Sequence, residues 1–433
     1  MSGDHGLTNA ALFERGQAVI PGGVNSPVRS FRSVGGVPYF VARGEGAYIV
    51  DVEGRRYVDY VQSYGASILG HADAAVIDAV CEAARLGTTF GAPTEGEVLL
   101  AEALCSRVPH LEQIRLVSSG TEALMSVVRL ARGATGRSTI VKFAGHYHGH
   151  SDSLLAAGGS GVASQGLSGS AGVPLGAVAD TVVVPWNVVP DLDDSVAAVV
   201  LEPVAANMGL VPALDGFLDE VRAACDAAGA LLIFDEVITG FRDDPGGATA
   251  AVGVRPDLWT FGKVIGGGLP VGAFGGSREV MAHLAPLGEV YQAGTLSGNP
   301  LATAAGLAVL ERLDAAAYVR LVDRATRLAD GLRGAFVAAG VAAQVPRMRS
   351  LVGLFFGDHQ PVDYDEAQAS VSSGAYPIFF HEMLRAGVAL APGPYEVMFP
   401  SLAHSDDDLD FTIDAAKHAA LAVADFLDRK ARP

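Results

Sequence analysis

At 433 residues the chain exceeds one compact core, so two domains, or a large domain with a smaller cap, are expected. Half of the residues are hydrophobic and only 18% are charged, which supplies apolar material for a large core and a subunit interface. A formal net charge of −18 argues against a nucleic-acid-binding module, because neutralising phosphates requires clustered Lys and Arg.

The opening Met1-Ser-Gly-Asp-His-Gly-Leu has no basic stretch leading into an apolar one and is not Arg-rich, so no targeting segment is expected. Short apolar runs then alternate with turn residues. Tyr48-Ile-Val-Asp-Val-Glu-Gly-Arg-Arg-Tyr-Val-Asp-Tyr predicts strand, turn, strand, with Gly54 in the turn. From there to about residue 310, helical stretches alternate with short apolar runs such as Ser138–Phe143, Ala197–Glu202 and Ala230–Asp235. Continuous apolar strands between helices predict an α/β fold with a mainly parallel sheet covered on both faces. Gly158–Gly172 interrupts the pattern: it is Gly/Ser-rich and nearly uncharged, and reads as a solvated loop or an active-site lid. A helix is predicted from Pro300 to Leu313, followed by a smaller α/β cap with a short strand, Leu351-Val-Gly-Leu-Phe-Phe. The expected division is an N-terminal segment with a β-hairpin (1–60), a large cofactor-binding domain (61–315) and a small C-terminal domain (316–433). No stretch of eighteen apolar residues occurs, so no membrane span is expected. Cys81, Cys105 and Cys225 are widely spaced in helical patterns and read as buried thiols of a reducing compartment, which points to a soluble cytoplasmic protein.

Almost every basic residue is Arg; the only lysines are Lys142, Lys263, Lys417 and Lys430. Lys142, Lys417 and Lys430 read as solvated charges in helix-like or tail contexts. Lys263 differs, because it ends the apolar run Pro256-Asp-Leu-Trp-Thr-Phe-Gly and precedes Val-Ile-Gly-Gly-Gly-Leu-Pro. A guanidinium cannot condense with a carbonyl, whereas an amine does so once its pKa is depressed. A phosphate-binding lysine of the Walker kind would need Ser or Thr next, and Val264 follows.

Four further features converge on one cofactor. Ser118-Ser-Gly-Thr-Glu-Ala opens a helix, so Ser119, Gly120 and Thr121 offer hydroxyls and free N–H groups to a phosphate. Asp235 ends a buried strand where ligands bind such sheets and can hold a pyridine nitrogen protonated, with Val237 on the same side. Gly145-His-Tyr-His-Gly-His supplies Tyr147 as an aromatic platform. Its histidines His146, His148 and His150 alternate as a metal site could, but no carboxylate or Cys cluster accompanies them, and no metal is expected. Gly294-Thr-Leu-Ser-Gly-Asn-Pro adds the Thr295 hydroxyl for a phosphate. Phosphate cradle, pyridinium acid, aromatic lid and a lysine able to form a Schiff base together describe pyridoxal phosphate.

These residues resemble the class III aminotransferases of fold type I, and among them the aminomutases, over nearly the whole chain. The resemblance rests on Pro21-Gly-Gly-Val-Asn-Ser-Pro-Val-Arg-Ser-Phe, Phe90-Gly-Ala-Pro-Thr-Glu, Ser119-Gly-Thr-Glu-Ala, Tyr147-His-Gly-His, Glu202-Pro-Val-Ala-Ala-Asn-Met-Gly, Asp235-Glu-Val-Ile-Thr-Gly-Phe-Arg, Gly262-Lys-Val-Ile-Gly-Gly-Gly, Gln292-Ala-Gly-Thr-Leu-Ser-Gly-Asn-Pro and Ser401-Leu-Ala-His-Ser. It implies Lys263 as the cofactor lysine, Asp235 as the partner of the ring nitrogen, Tyr147 and Val237 on the two ring faces, and Asn207 near the phenolic oxygen. Ser119, Gly120 and Thr121 would hold the phosphate, with Thr295 reaching across from the other subunit of a homodimer. Arg29 would grip a substrate carboxylate, with Ser26 and Tyr64 nearby, Glu396 as the active-site glutamate and Ser160 in the gating loop. The implied reaction is intramolecular amino exchange from (S)-4-amino-5-oxopentanoate to 5-aminolevulinate, on the way to tetrapyrroles, with an upstream reductase as partner.

The chain departs from that pattern at Ser118, where Asn is common, at Tyr64 for Trp, at His146 for Cys, and in the segment after Arg242. The rival expectations are a class III ω- or β-amino acid transaminase with a separate keto acceptor, and a non-catalytic cofactor- or metal-binding protein.

Overall fold

Strand and helix alternate through the middle of the chain in the computed structural model, which describes residues 8–156 and 169–431. The first element is the helix Asn9–Val19, whose start is capped by the Thr8 hydroxyl accepting the Ala11 N–H. Strands β1 (Val41–Glu45), β2 (Tyr48–Asp51) and β3 (Arg56–Asp59) follow as an antiparallel meander, so the strand–turn–strand predicted from Tyr48 is present. A fourth strand, Val388–Ala389, joins β3 in parallel from the far end of the chain. Phe31, Val34, Val58 and Tyr60 share one apolar cluster with Leu328, Phe336, Phe379 and Val423, which fastens the N-terminal segment onto the C-terminal helices Ala315–Ala338, Ala375–Arg385 and Asp406–Ala431.

The central sheet has seven strands: β4 (Gln113–Val117), β5 (Thr139–Phe143), β6 (Thr181–Val184), β7 (Val196–Leu201), β8 (Leu231–Glu236), β9 (Leu258–Phe261) and β10 (Gly272–Gly276). Their spatial order is β4-β10-β9-β8-β7-β5-β6, parallel except for β10, which runs antiparallel to both β9 and β4. All six residues of β7 are buried, as helices on both faces demand. Strand β10, Gly-Ala-Phe-Gly-Gly, is not among the apolar runs named from the sequence. Its glycines are there for backbone approach: a Cβ on Gly275 would stand 2.3 Å from the Gln113 carbonyl oxygen, and one on Gly272 equally close to that of Ser119.

Three expectations are corrected. Leu351–Phe356 is not one strand: Leu351–Val352 pairs with Arg347–Met348 and Phe355–Phe356 with Ala343–Gln344. Gly353 separates them, pressed so closely on Gly209 that a Cβ would fall 2.3 Å from its carbonyl oxygen. Of the three free thiols only Cys225 is buried; Cys105 is half-buried and Cys81 exposed, because its helix turns that face to solvent. Lys142 is not a solvated charge. It is 0% exposed on β5, in a sheet covered on both faces.

Beyond β3 the backbone takes a rare path. Gln62, Ser63 and Tyr64 have φ of 44°, 54° and 55°, and Gly65 has 96°. Consecutive left-handed residues with side chains cost about 1–2 kcal/mol each, so the turn persists only where its surroundings over-determine it. Among the described residues no helix is long and apolar enough to cross a membrane.

Candidate active site

Strands β8 and β9 end side by side, and the residues just past them face one cavity of about 230 Å³ at the carboxyl edge of the sheet. Lys263, Asp235, Val237 and Asn207 line it, together with Tyr147 from the loop after β5 and Ser119, Gly120 and Thr121 from the loop after β4. Every predicted cofactor-binding residue except Thr295 therefore meets in one place.

Lys263 follows β9 with φ of 48°, a left-handed conformation unusual for a side-chain-bearing residue, which turns it off the strand. Removal of water by the surrounding protein pushes its ammonium down to about 8, against the attraction of Glu396, Asp235 and Glu202. Asp235 is 5% exposed, and burial raises its carboxyl to about 6. The Val237 N–H at 3.1 Å, the charge of Lys263 and the Thr260 hydroxyl at 3.3 Å oppose that rise. Its other oxygen, Oδ2, lies 2.8 Å from Nδ1 of His148. A carboxylate only accepts, so Nδ1 carries the proton. Burial, reinforced by the charge of Lys142, holds His148 well below its ordinary value, so the ring is neutral.

The helix Gly120–Thr135 starts at Ser119, whose hydroxyl accepts the Glu122 N–H at 3.1 Å while Glu122 accepts the Ser118 N–H. The Gly120 and Thr121 N–H groups have no intrahelical acceptor and face the cavity at the positive end of the helix dipole. Side chains would close this end: a Cβ on Gly149 would lie 2.6 Å from the Thr121 hydroxyl, and one on Gly120 3.0 Å from Val237. An anion site at one end, a buried carboxylate at the other and Tyr147 and Val237 between them fit a flat, phosphate-bearing pyridine.

The lining and the layer behind it hold groups with no assigned role in the sequence reading, Glu202 in the lining and His146 and Lys142 behind it. Glu202 is 3% exposed; it accepts the Tyr147 and Ala206 N–H groups at 2.9 Å and a bond from the Asn207 side chain, so it positions two of the predicted residues. Burial and then the charge of Asp235 raise its carboxyl to about 7. His146 Nδ1 accepts the Glu202 N–H at 2.9 Å. His146 and His148 thus support the acids, while His150 is exposed, and among the described residues no cluster that could hold a metal ion is found. Lys142 donates to the Leu154 carbonyl at 3.0 Å, and burial lowers its ammonium to about 8 against the pull of Glu202 and Asp235. The signal for this cation was a lone Lys within an apolar parallel strand of an Arg-rich chain.

Arg29 and Tyr64 line a second cavity, of about 480 Å³. Glu396 acts electrostatically on both Tyr64 and Lys263, which ties the two cavities together. Gly393, just before Glu396, packs on Val28 beside Arg29. Ser26 begins the turn that carries Arg29, its carbonyl accepting the Arg29 N–H at 3.0 Å, and does not line either cavity. Thr295 is exposed and lines a separate cavity with Phe90, Pro93 and Asn299. Ser160 and most of Gly158–Gly172 lie outside the described residues.

Sheet order and site together define the fold-type I architecture of pyridoxal-phosphate-dependent transferases. Residues 31–420 match the family described as aminotransferase class-III, and the chain belongs to that family. It is 52% identical over 419 residues, 95% of this chain and 98% of the relative, to the glutamate-1-semialdehyde 2,1-aminomutase of Bordetella avium. Among solved structures, an omega-transaminase from Sphaerobacter thermophilus superposes with a TM-score of 0.88 at 35% identity, covering 98% of this chain and 99% of that one. A lysine-to-alanine variant of a glutamate-1-semialdehyde aminomutase from Pseudomonas aeruginosa PAO1, in complex with PMP, gives 0.84 at 27% identity, covering 96% and 94%.

Proposed function

We propose that this enzyme converts (S)-4-amino-5-oxopentanoate, glutamate-1-semialdehyde, to 5-aminolevulinate by moving an amino group within one molecule, using pyridoxal 5'-phosphate and its pyridoxamine form. The observation that carries the reading is the Lys263–Asp235 cavity, in a chain 52% identical over 95% of its length to an aminomutase of that substrate. When bound, the cofactor supplies a carbonyl that takes up and returns the migrating amine, and a ring that draws electrons from the reacting carbon. The chain does the rest. Lys263 holds the cofactor covalently and moves protons at the substrate carbons through its Nζ. Asp235, fixed by His148, Thr260 and the Val237 N–H, keeps a proton on the ring nitrogen. Tyr147 and Val237 would exclude water from the bound ring, Asn207 would meet its phenolic oxygen, and Ser119, Gly120 and Thr121 would bind its phosphate.

Arg29 takes the substrate carboxylate through a two-bond fork, carried on the turn that Ser26 begins, while Glu396 acts electrostatically on Lys263. Arg29→Lys keeps the charge and loses the fork, so KM should rise about tenfold with the cofactor absorbance unaltered; an unchanged KM would move the carboxylate site elsewhere. Thr295 serves the phosphate of a second copy of the chain. Its exposure, beside exposed Phe90, Leu287, Tyr291 and Leu296, supports a homodimer, and a monomeric mass in sedimentation at working concentration would remove that part. The free thiols support a cytoplasmic setting, which cell fractionation would check.

The likeness to an omega-transaminase favours a second reading, amino transfer to a separate keto acid. One assay divides the two. The pyridoxamine form of an aminomutase turns over glutamate-1-semialdehyde continuously with no added 2-oxo acid; a transaminase stops after one half-reaction.

A further inference from the structure

The left-handed turn at Gln62–Gly65 is fixed at both ends by groups that no proposed step uses. At its start stands Asp59, the last residue of β3 and 3% exposed. One carboxylate oxygen accepts the Val61 N–H at 2.8 Å; the other accepts the Gln62 N–H at 3.1 Å and pairs with His71 Nε2 at 2.7 Å. The Asp59 carbonyl also accepts the Gln62 side-chain amide at 2.9 Å. His71 is anchored in turn, exchanging two backbone hydrogen bonds with Gly46 at 2.7 and 2.8 Å, and its ring lies where a Cβ on Gly44 would stand 2.8 Å away. At the far end the buried Arg242 donates to the Gly65 carbonyl at 2.9 Å, and Phe399 leaves Gly65 no room for a side chain.

Residues 62–64 gain nothing from this path by themselves, since each carries a side chain and none is glycine. What the path does is deliver Ser63 and Tyr64 into the cavity that Arg29 lines. There the Tyr64 phenol lies in the fields of Glu396 and Arg29. We propose that Asp59, locked by His71, is a positioning residue for substrate: it imposes the left-handed turn and so fixes the Tyr64 phenol opposite Arg29, which selects substrates by the distance from carboxylate to amine-bearing carbon. The inference rests on the aminomutase reading for its substrate. Asp59 and His71 also line the cavity, so direct contact with substrate is the rival the test must exclude.

The test is a double-variant cycle on the holoenzyme, read as the apparent Kd from the change in cofactor absorbance on titration with 5-aminolevulinate, and with 4-aminobutanoate, one carbon shorter. An asparagine offers one carbonyl oxygen where the carboxylate serves three donors. Asp59→Asn should therefore weaken 5-aminolevulinate binding about tenfold and narrow its preference over 4-aminobutanoate, leaving the absorbance and retention of the cofactor unchanged. Tyr64→Ala should do the same. In the Tyr64→Ala background Asp59→Asn should add less than about twofold, because its effect travels through the missing phenol. Additive losses would assign Asp59 direct contact and overturn the proposal, as would unaltered binding in Asp59→Asn. His71→Gln, which leaves the Asp59 carboxylate intact, guards against misfolding: it should give a smaller loss that is likewise absent without Tyr64, and additivity there also counts against the proposal. A wild-type protein that responds to 4-aminobutanoate but not to 5-aminolevulinate defeats the aminomutase reading, and the same cycle run with the responding ligand still decides the role of Asp59.

Discussion

Lys263→Arg is expected to retain the cofactor non-covalently and to lose turnover by at least about a thousandfold. Arginine keeps the positive charge among Glu396, Asp235 and Glu202, so the cavity keeps its electrostatic balance. It cannot offer a neutral nitrogen near pH 7, however, and the neutral nitrogen is what attacks a carbonyl. At pH 7.5 an ordinary lysine amine is about one part in a thousand neutral, whereas one lowered to about 8 is roughly one quarter neutral. The site thus raises the reactive fraction by about two hundredfold before any geometric effect. The pH dependence follows with a definite sign. Recombination of apoenzyme with pyridoxal phosphate should accelerate about tenfold per pH unit below 8 and level off above it. Stopped-flow absorbance reads the rate, and borohydride reduction followed by mass measurement reads covalent attachment. A borohydride-fixed adduct on the arginine variant, or near-normal turnover, would remove Lys263 from the chemistry.

The part of the site legible in the sequence was the part announced by composition. Lys263 stood out among arginines, Asp235 stood at the end of an apolar strand, and Ser119-Gly-Thr opened a helix; each is a local statement that burial in an α/β sheet only completes. Contacts that depend on which strands become neighbours were not legible. His148 reaches Asp235, and Glu202 reaches Tyr147, only because β5, β7 and β8 lie adjacent in the sheet. Lys142 reads as a solvated charge from its sequence because its side chain says nothing of the helices above and below β5. The turn at Gln62–Tyr64 carries no glycine until Gly65, so composition does not mark its left-handed path; the groups that hold it are the nearby Asp59 carboxylate, paired with His71, and Arg242 from far along the chain. Strand β10 has no apolar run to mark it, since its glycines serve close packing.

Asp235→Asn should separate stability from function in opposite directions. The variant can keep the fold: an amide oxygen still accepts the Val237 N–H and the Thr260 hydroxyl. His148 can move its proton to Nε2, which is buried and has no partner among the described residues, so that Nδ1 accepts from the new amide. Function should suffer. A charge-assisted bond to the ring nitrogen is worth about 1.5–3 kcal/mol, so kcat should fall about ten- to a hundredfold, with a change in cofactor absorbance. Stability of the apoenzyme should go the other way. Burial raises the folded-state carboxyl from 3.8 to about 6, so between those values the folded protein binds more protons than the unfolded chain. Stability then falls as pH rises through that window, by about 3 kcal/mol in all, and the full penalty is present above pH 6. Asparagine carries no such penalty. Apo Asp235→Asn should accordingly melt above the wild type at pH 8 and match it near pH 4, while the bound cofactor, by giving the carboxylate a cationic partner, should narrow the gap at pH 8. An apo variant less stable than the wild type at pH 8 would mean that the carboxylate is there for its hydrogen bonds to His148, Thr260 and Val237. A more stable but slower variant would mean that the fold tolerates a buried charge at this position because the ring nitrogen needs it.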